Sequence, residues 1–152
     1  MRLLIVSDSH GAVGALSQLI RLHSEADILL FLGDGASDLN AVLTGNERFK
    51  VVGVRGNNDR SGCFPDETEF FAGGKRIFCA HGHTYHVKYS ELMFAEEARA
   101  RGAAAAFFGH THTPLVRYES GMYLANPGSL RQGCYALADI VGGAMHIGLA
   151  KL

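Results

Sequence analysis

Short apolar runs alternate with polar, glycine-bearing breaks along this chain. Residues 2–6 form the first run and read as a buried strand, closed by Ser7-Asp8-Ser9-His10-Gly11. Val13, Leu16, Leu19 and Ile20 then recur near helical spacing. Residues 28–32 read as a second buried strand, closed by Gly33-Asp34-Gly35, and a short helix over residues 37–43 follows. Residues 51–54 read as a third, closed by Gly56-Asn57-Asn58-Asp59. This alternation predicts parallel strands joined by crossover helices.

The middle of the chain changes character. Residues 69–72 and 75–80 flank Gly73-Gly74, a hairpin signal, and the second of these strands ends at His81-Gly82-His83. Residues 90–101 read as a helix in which Glu97 and Arg101 pair at i,i+4 and Gly102 suits the C-terminal cap. Residues 104–108 form another buried strand, ended by Gly109-His110-Thr111-His112. The last third is β-rich, with strands over 115–118 and 122–125 around Ser120-Gly121, and over 135–140 and 144–150 around Gly142-Gly143. The expectation is two mixed sheets packed face to face, with helices covering the outsides.

Composition narrows the class. A chain of 152 residues fits one domain over 1–152, and a chain of that length buries roughly 70% of its unfolded surface without staples. The formal net charge of −1 argues against stable nucleic-acid binding, though not against a nucleotide as a small substrate. Cys63, Cys79 and Cys134 form no CxxC pair, so neither a disulfide framework nor a thiolate zinc site is expected, and a cytoplasmic setting is. No segment approaches the ~18 apolar residues of a membrane span, and the run before Ser7 is too short for a signal-peptide core.

The chemistry lies in the breaks. Five apolar strands each end in a loop holding Asp, Asn or His beside glycine. In open α/β sheets such loops gather outside the carboxyl ends of the strands, where ligands bind. Asp8-x-His10 and His110-x-His112 place two donors two residues apart, so an extended backbone would aim both the same way. Asp34 offers a carboxylate able to bridge two cations, Asn57 a neutral amide oxygen and His81 a further imidazole. A set rich in oxygen and imidazole and free of thiolate suits manganese, iron, nickel or zinc in water-accessible sites. Paired metals of that kind activate water and neutralise phosphoryl oxygens. Asp59 reads as a carboxylate that orients a metal-bound histidine, with loop capping as the rival role. His83 reads equally as a cleft residue or as a partner of local backbone. Asn126, Gly128 and Ser129 look like a turn supporting the metal loops.

Asp8-Ser9-His10-Gly11, Gly33-Asp34, Gly56-Asn57-Asn58-Asp59, His81-Gly82-His83 and Gly109-His110-Thr111-His112 together resemble the five motifs of the calcineurin-like metallophosphoesterases. Asn126-Pro127-Gly128-Ser129 resembles a mark of their small prokaryotic phosphodiesterase branch. The resemblance implies a four-layer α/β/β/α sandwich of two mixed sheets flanked by helices. It implies one metal held by Asp8, His10 and His112, a second by Asn57, His81 and His110, and Asp34 bridging them. The implied activity is phosphodiester hydrolysis by a metal-bridging hydroxide at a dinuclear centre, with two divalent transition-metal ions, manganese first. The substrate would be a small phosphodiester, a nucleotide among the candidates, and a homo-oligomer is compatible. Asn58 stands where many family members carry a histidine thought to assist the leaving group, and an amide is no general acid near neutral pH. Asn58, Asp59 and His83 complete the candidate catalytic set. The rivals are a phosphomonoesterase with the same metals and a catalytically weak protein-interaction scaffold of the same fold.

Overall fold

In the computed structural model, which describes residues 1–45 and 47–152, the alternating runs become two five-stranded mixed sheets. The first carries β1 (Arg2–Val6), β2 (Ile28–Phe31) and β3 (Lys50–Gly53) in parallel, extended by β9 (Cys134–Val141) and β10 (Ala144–Lys151), in the order β10-β9-β1-β2-β3. The second comprises β4 (Glu67–Ala72), β5 (Lys75–Ala80), β6 (Ala105–Phe107), β7 (Leu115–Glu119) and β8 (Met122–Asn126), in the order β4-β5-β6-β8-β7. Among the described residues three α-helices accompany them: α1 (Val13–Leu22), α2 (Ala36–Val42) and α3 (Leu92–Ala100). The expected α/β sandwich is the observed one.

The period-two alternation of a strand explains why these runs are apolar at every position. In β1 and β2, paired as Leu3↔Ile28 and Ile5↔Leu30, these four side chains face the other sheet. Leu4, Val6, Leu29 and Phe31 point the opposite way and pack with Leu16, Leu19 and Leu39 of α1 and α2. The second sheet repeats the scheme. Ile77, Cys79, Ala105 and Phe107 meet the first sheet, while Phe78, Ala80 and Ala106 pack with Phe94, Ala95 and Ala98 of α3. β1, β2, β5 and β6 thus each serve two cores, one between the sheets and one beneath a helix.

The element ends follow local chemistry. Helix α3 is shorter than expected, ending one residue before Arg101, because Gly102 adopts φ +69°. The Gly102 amide donates to the Arg99 carbonyl and that of Ala103 to Ala98, which closes a Schellman cap. Arg101 still reaches Glu97 at 2.7 Å. The Gly73-Gly74 hairpin joins β4 to β5 as expected, in a register that ends at Ala72↔Lys75.

Strands β1, β2 and β3 run parallel, and β5 and β6 run parallel in the other sheet. Their carboxyl ends therefore deliver five loops to one region: residues 7–11, 33–35, 56–59, 81–83 and 109–112.

Removing a ring from the middle of the sandwich should cost far more than removing one from its rim. Phe107→Ala, at 0% exposure between the sheets, is expected to lose about 3–5 kcal/mol in urea unfolding. Phe71→Ala, at 65% exposure on a strand edge, should lose no more than about 0.5 kcal/mol. Equal losses would contradict this assignment of the core.

Candidate metal centre

Three of the five loops do not reach the site through extended backbone. Asp8 (φ 55°), His10 (φ 42°), Asp34 (φ 58°), His110 (φ 66°) and His112 (φ 60°) all occupy the left-handed region. The expectation that an extended Asp8-x-His10 or His110-x-His112 aims its two side chains together is therefore corrected. Left-handed backbone at both donors turns each loop back on itself. Asp and His tolerate this region better than most residues, yet each instance costs on the order of 1–3 kcal/mol, so the surroundings must hold it.

Those loops gather two donor groups. Asp8, His10 and His112 form one, and Asp34, His81 and His110 the other, each offering one ligand atom within 4.8 Å of the rest. In the first, His112 Nε2 lies 3.1 Å from Asp8 Oδ1, His10 Nε2 lies 3.6 Å from the same oxygen, and the two imidazole nitrogens are 3.4 Å apart. Ligands about 2.1 Å from a tetrahedral ion are themselves separated by about 3.4 Å, so these edges suit a transition metal. The two groups touch through Asp34, whose Oδ2 lies 3.4 Å from His81 Nε2 and 3.7 Å from His10 Nε2.

His81 makes the strongest case for a cation. It is fully buried, and its Nδ1 lies 2.6 Å from the Leu32 carbonyl oxygen. Donation of Nδ1–H there leaves Nε2 a bare lone pair. That nitrogen has no hydrogen-bond partner among the described residues, although it faces Asp34 at 3.4 Å and Asp8 at 4.0 Å. A lone pair set against two buried carboxylates is unfavourable unless a proton or a metal ion lies between them.

Without metal, the two carboxylates favour a proton in that place. Burial lowers the His81 pKa, but Asp34 and Asp8 outweigh it and the net shift is upward. Burial acts to raise the Asp34 carboxyl, yet His81 and Asn58 hold it well below the usual carboxylate range. His110 is pushed down to about 4, first by burial and then by the charges of His81 and Lys88.

The remaining candidates fall around this centre. Asn58 bonds Asp34 twice, through its backbone amide at 2.8 Å and its side-chain amide at 2.6 Å. Asn57 is exposed in the same loop. Asp59 does not orient a histidine. Its two oxygens accept the backbone amides of Asp34, Gly35, Ala36 and Gly56 at 2.8–2.9 Å, so the loop-capping role is the observed one. His83 lies beside the histidines, its ring 5.5 Å from His81 and 6.1 Å from His110, with a buried Nδ1 that has no partner among the described residues.

Three supports escaped the sequence reading. Ser7 Oγ donates to Asp8 Oδ2 at 2.6 Å. Asp38, buried at the start of α2, accepts Ser9 Oγ and the Gly11 amide and so shapes the loop of His10. Thr111 Oγ1 receives the Asn126 amide, which also bonds the Gly109 carbonyl. Their only signal was that each is a small polar residue within four positions of a candidate ligand. The Asn126–Ser129 turn supports the loops as expected, Ser129 Oγ donating to the Asp8 carbonyl at 2.8 Å.

Residues 1–143 match the calcineurin-like phosphoesterase superfamily domain, and the chain belongs to that superfamily. It is 36% identical over 132 residues to a probable metallophosphoesterase of Bacillus subtilis, YsnB, covering 86% of this chain and 76% of the relative. It is 27% identical over 153 residues to the phosphodiesterase YfcE of Escherichia coli, covering 86% and 79%. The fold is shared with zinc-complexed Vps29 of Entamoeba histolytica at TM-score 0.78 and 19% identity, covering 99% of both chains. Among the described residues no helix is long and apolar enough to cross a membrane.

Two expected outcomes test this geometry. Asp59→Ala strands four amides and should cost about 1.5–3 kcal/mol in chemical denaturation, the scale of bonds to a charged acceptor. Asp59→Asn should fall between it and the parent; a neutral Asp59→Ala would refute the clamp. The second outcome concerns pH. In metal-free protein the raised His81 pKa contributes stability below the ordinary histidine value of about 6.5, which is lost as pH rises through the folded value. A metal ion competes with that proton. The rise in Tm on adding Mn²⁺ to chelated protein should therefore be larger at pH 8 than at pH 6. A larger rise at pH 6 would contradict the site.

Proposed function

We propose that this member of the calcineurin-like phosphoesterase superfamily hydrolyses phosphodiesters at a dinuclear metal centre, residues 1–152 acting as one catalytic domain. Asp8, His10 and His112 would hold one divalent transition-metal ion, with Asn57, His81 and His110 holding the other and Asp34 serving both. The observation that carries the reading is the buried, partnerless Nε2 of His81 facing two carboxylates. Manganese is the first choice for a mixed oxygen and imidazole set, with iron, nickel and zinc next. When bound, such ions supply Lewis acidity toward phosphoryl oxygens and activate water for attack on phosphorus.

The chain's own groups then decide which substrates turn over. Asn58 is tied to Asp34 by its side-chain amide, so it steadies that carboxylate and brings no acid of its own. His83 has its pKa lowered by burial, then by the charges of His81 and Arg55, and so stands neutral near pH 7. It can orient a substrate oxygen but carries little ready proton. Both features favour esters whose leaving oxygen departs as a weak base. The relative named as a phosphodiesterase supports a diester over a monoester.

The test is metal-stripped protein assayed on bis(p-nitrophenyl) phosphate and p-nitrophenyl phosphate, with and without added Mn²⁺. Chelation should abolish hydrolysis, Mn²⁺ should restore it, and the diester should be the better substrate. Full activity after exhaustive chelation would sink the mechanism. A preference for the monoester would move the reading to a phosphomonoesterase. Metal binding with no hydrolysis of either would leave an interaction scaffold of the same fold.

A further inference from the structure

Besides a small cavity of about 130 Å³ lined by His10, Asp34 and Asn58, two larger ones flank the metal centre. Beyond Asn58 lies a cavity of about 380 Å³ that includes Ser37, Asn40, Arg60 and Cys63 in its wall. On the other side of His10 lies a second, of about 540 Å³, lined by His10, His112, Ser129, Arg131 and Gln132. A volume of that size falls within the roughly 300–1,000 Å³ of small-molecule sites and exceeds what the scissile phosphoryl group alone requires. A phosphodiester has two ester arms to place, and a monoester has one.

The two sides differ in charge. Asp59 lines the first cavity beside Arg60, whereas no carboxylate lines the second. Most arginines of the chain are already engaged: Arg2 with Asp139 and Glu25, Arg55 with Asp66, Arg101 with Glu67 and Glu97. Arg131, like Arg48 and Arg60, makes no side-chain hydrogen bond or ion pair among the described residues, but it alone of the three lines the cavity shared with His10 and His112. Its backbone is nonetheless fixed. Leu130 is buried under α1, the Leu130 amide donates to the Ser7 carbonyl at 2.9 Å, and that of Arg131 to the Asp8 carbonyl at 3.3 Å. Ser129 Oγ adds a bond to the same Asp8 carbonyl. The guanidinium is thus anchored at its root to the strand end that carries Asp8, and its five N–H groups are free to meet an oxyanion.

We propose that this second cavity receives an anionic group carried on one ester arm of the diester, a second phosphate, and that Arg131 selects it. The inference rests on the phosphodiesterase reading above and deepens it by naming the substrate class: a diester bearing a further phosphate, as in a nucleotide phosphorylated at two positions. Gln132 sits beside Arg131 with a further side-chain amide.

The experiment uses one pair of substrates differing only in that group: thymidine 5′-(p-nitrophenyl phosphate) with and without a 3′-phosphate. Mn²⁺-loaded parent, Arg131→Ala, Arg131→Lys and Arg60→Ala are each assayed on both. The parent should show higher kcat/KM for the 3′-phosphorylated substrate, mainly through KM. Arg131→Ala should shrink that ratio about tenfold, the scale of a charge-assisted hydrogen bond, and Arg131→Lys should shrink it less. No preference in the parent, an equal loss on both substrates in Arg131→Ala, or an equal collapse of the ratio in Arg60→Ala would each overturn the assignment.

If the parent cleaves neither substrate, the diesterase reading fails, and calorimetry decides the cavity separately. Parent protein should then bind thymidine 3′,5′-bisphosphate more tightly than thymidine 5′-monophosphate, with Arg131→Ala losing the difference. Equal binding of the two by the parent would overturn the assignment on its own.

Discussion

Two carboxylates taken almost wholly out of water organise this molecule. Asp8 and Asp34 are 0% and 2% exposed, and they follow neighbouring parallel strands, so their charges lie close together where water cannot screen them. Burying an ionised carboxylate costs several kcal/mol unless hydrogen bonds and an opposite charge offset it. The surrounding structure supplies the hydrogen bonds. Ser7 Oγ and the His110 amide donate to Asp8, and both donors of Asn58 reach Asp34. What these donors leave over is net negative charge faced by imidazole lone pairs, and that residue of unmet electrostatics is what a cation would satisfy.

The same demand shapes the backbone. To face the carboxylates, the loops must turn within a few residues of a strand end, and five of the donors, Asp8, His10, Asp34, His110 and His112, adopt left-handed conformations. The glycines beside them stand where backbones approach most closely. A Cβ at Gly109 would fall 2.9 Å from Asp8 Oδ2, and one at Gly56 would strike the Asp34 carboxylate. Strain in the loops is opposed by the packed cores on both faces of β1, β2, β5 and β6 and by clamps such as Asp59, which gathers four amides of two loops on one carboxylate. Rigid sheets thus deliver strained loops to a fixed place, as preorganised sites require.

Several arginines elsewhere pair with acids, Arg2, Arg55, Arg76, Arg99, Arg101 and Arg117 among them, and several of those pairs lie on the exposed rim where they contribute little to stability. Arg131 is held by its backbone at the edge of the centre and lines a cavity that carries no carboxylate, so its guanidinium is available to an anion from outside the chain.

Much of this was legible in the sequence. The apolar runs determined the strands, the glycines marked the carboxyl ends at which they stop, and Gly102 and the Gly73-Gly74 pair placed a cap and a hairpin, because these signals are local and backbone sterics answer to them directly. The ordered motifs singled out Asp8, His10, Asp34, His81, His110 and His112, which the fold brings into two groups. Only tertiary structure decided how those side chains face one another. Extended backbone at Asp8-x-His10 was the natural local expectation, but contacts between loops far apart in sequence hold the left-handed conformation instead. The same holds for Asp59, Asp38 and Arg131. A carboxylate serves a histidine or a backbone amide with equal chemistry, and an arginine is paired or free according to which acids the fold brings near. Such choices depend on distances across the sheets, and no local pattern in a chain encodes them.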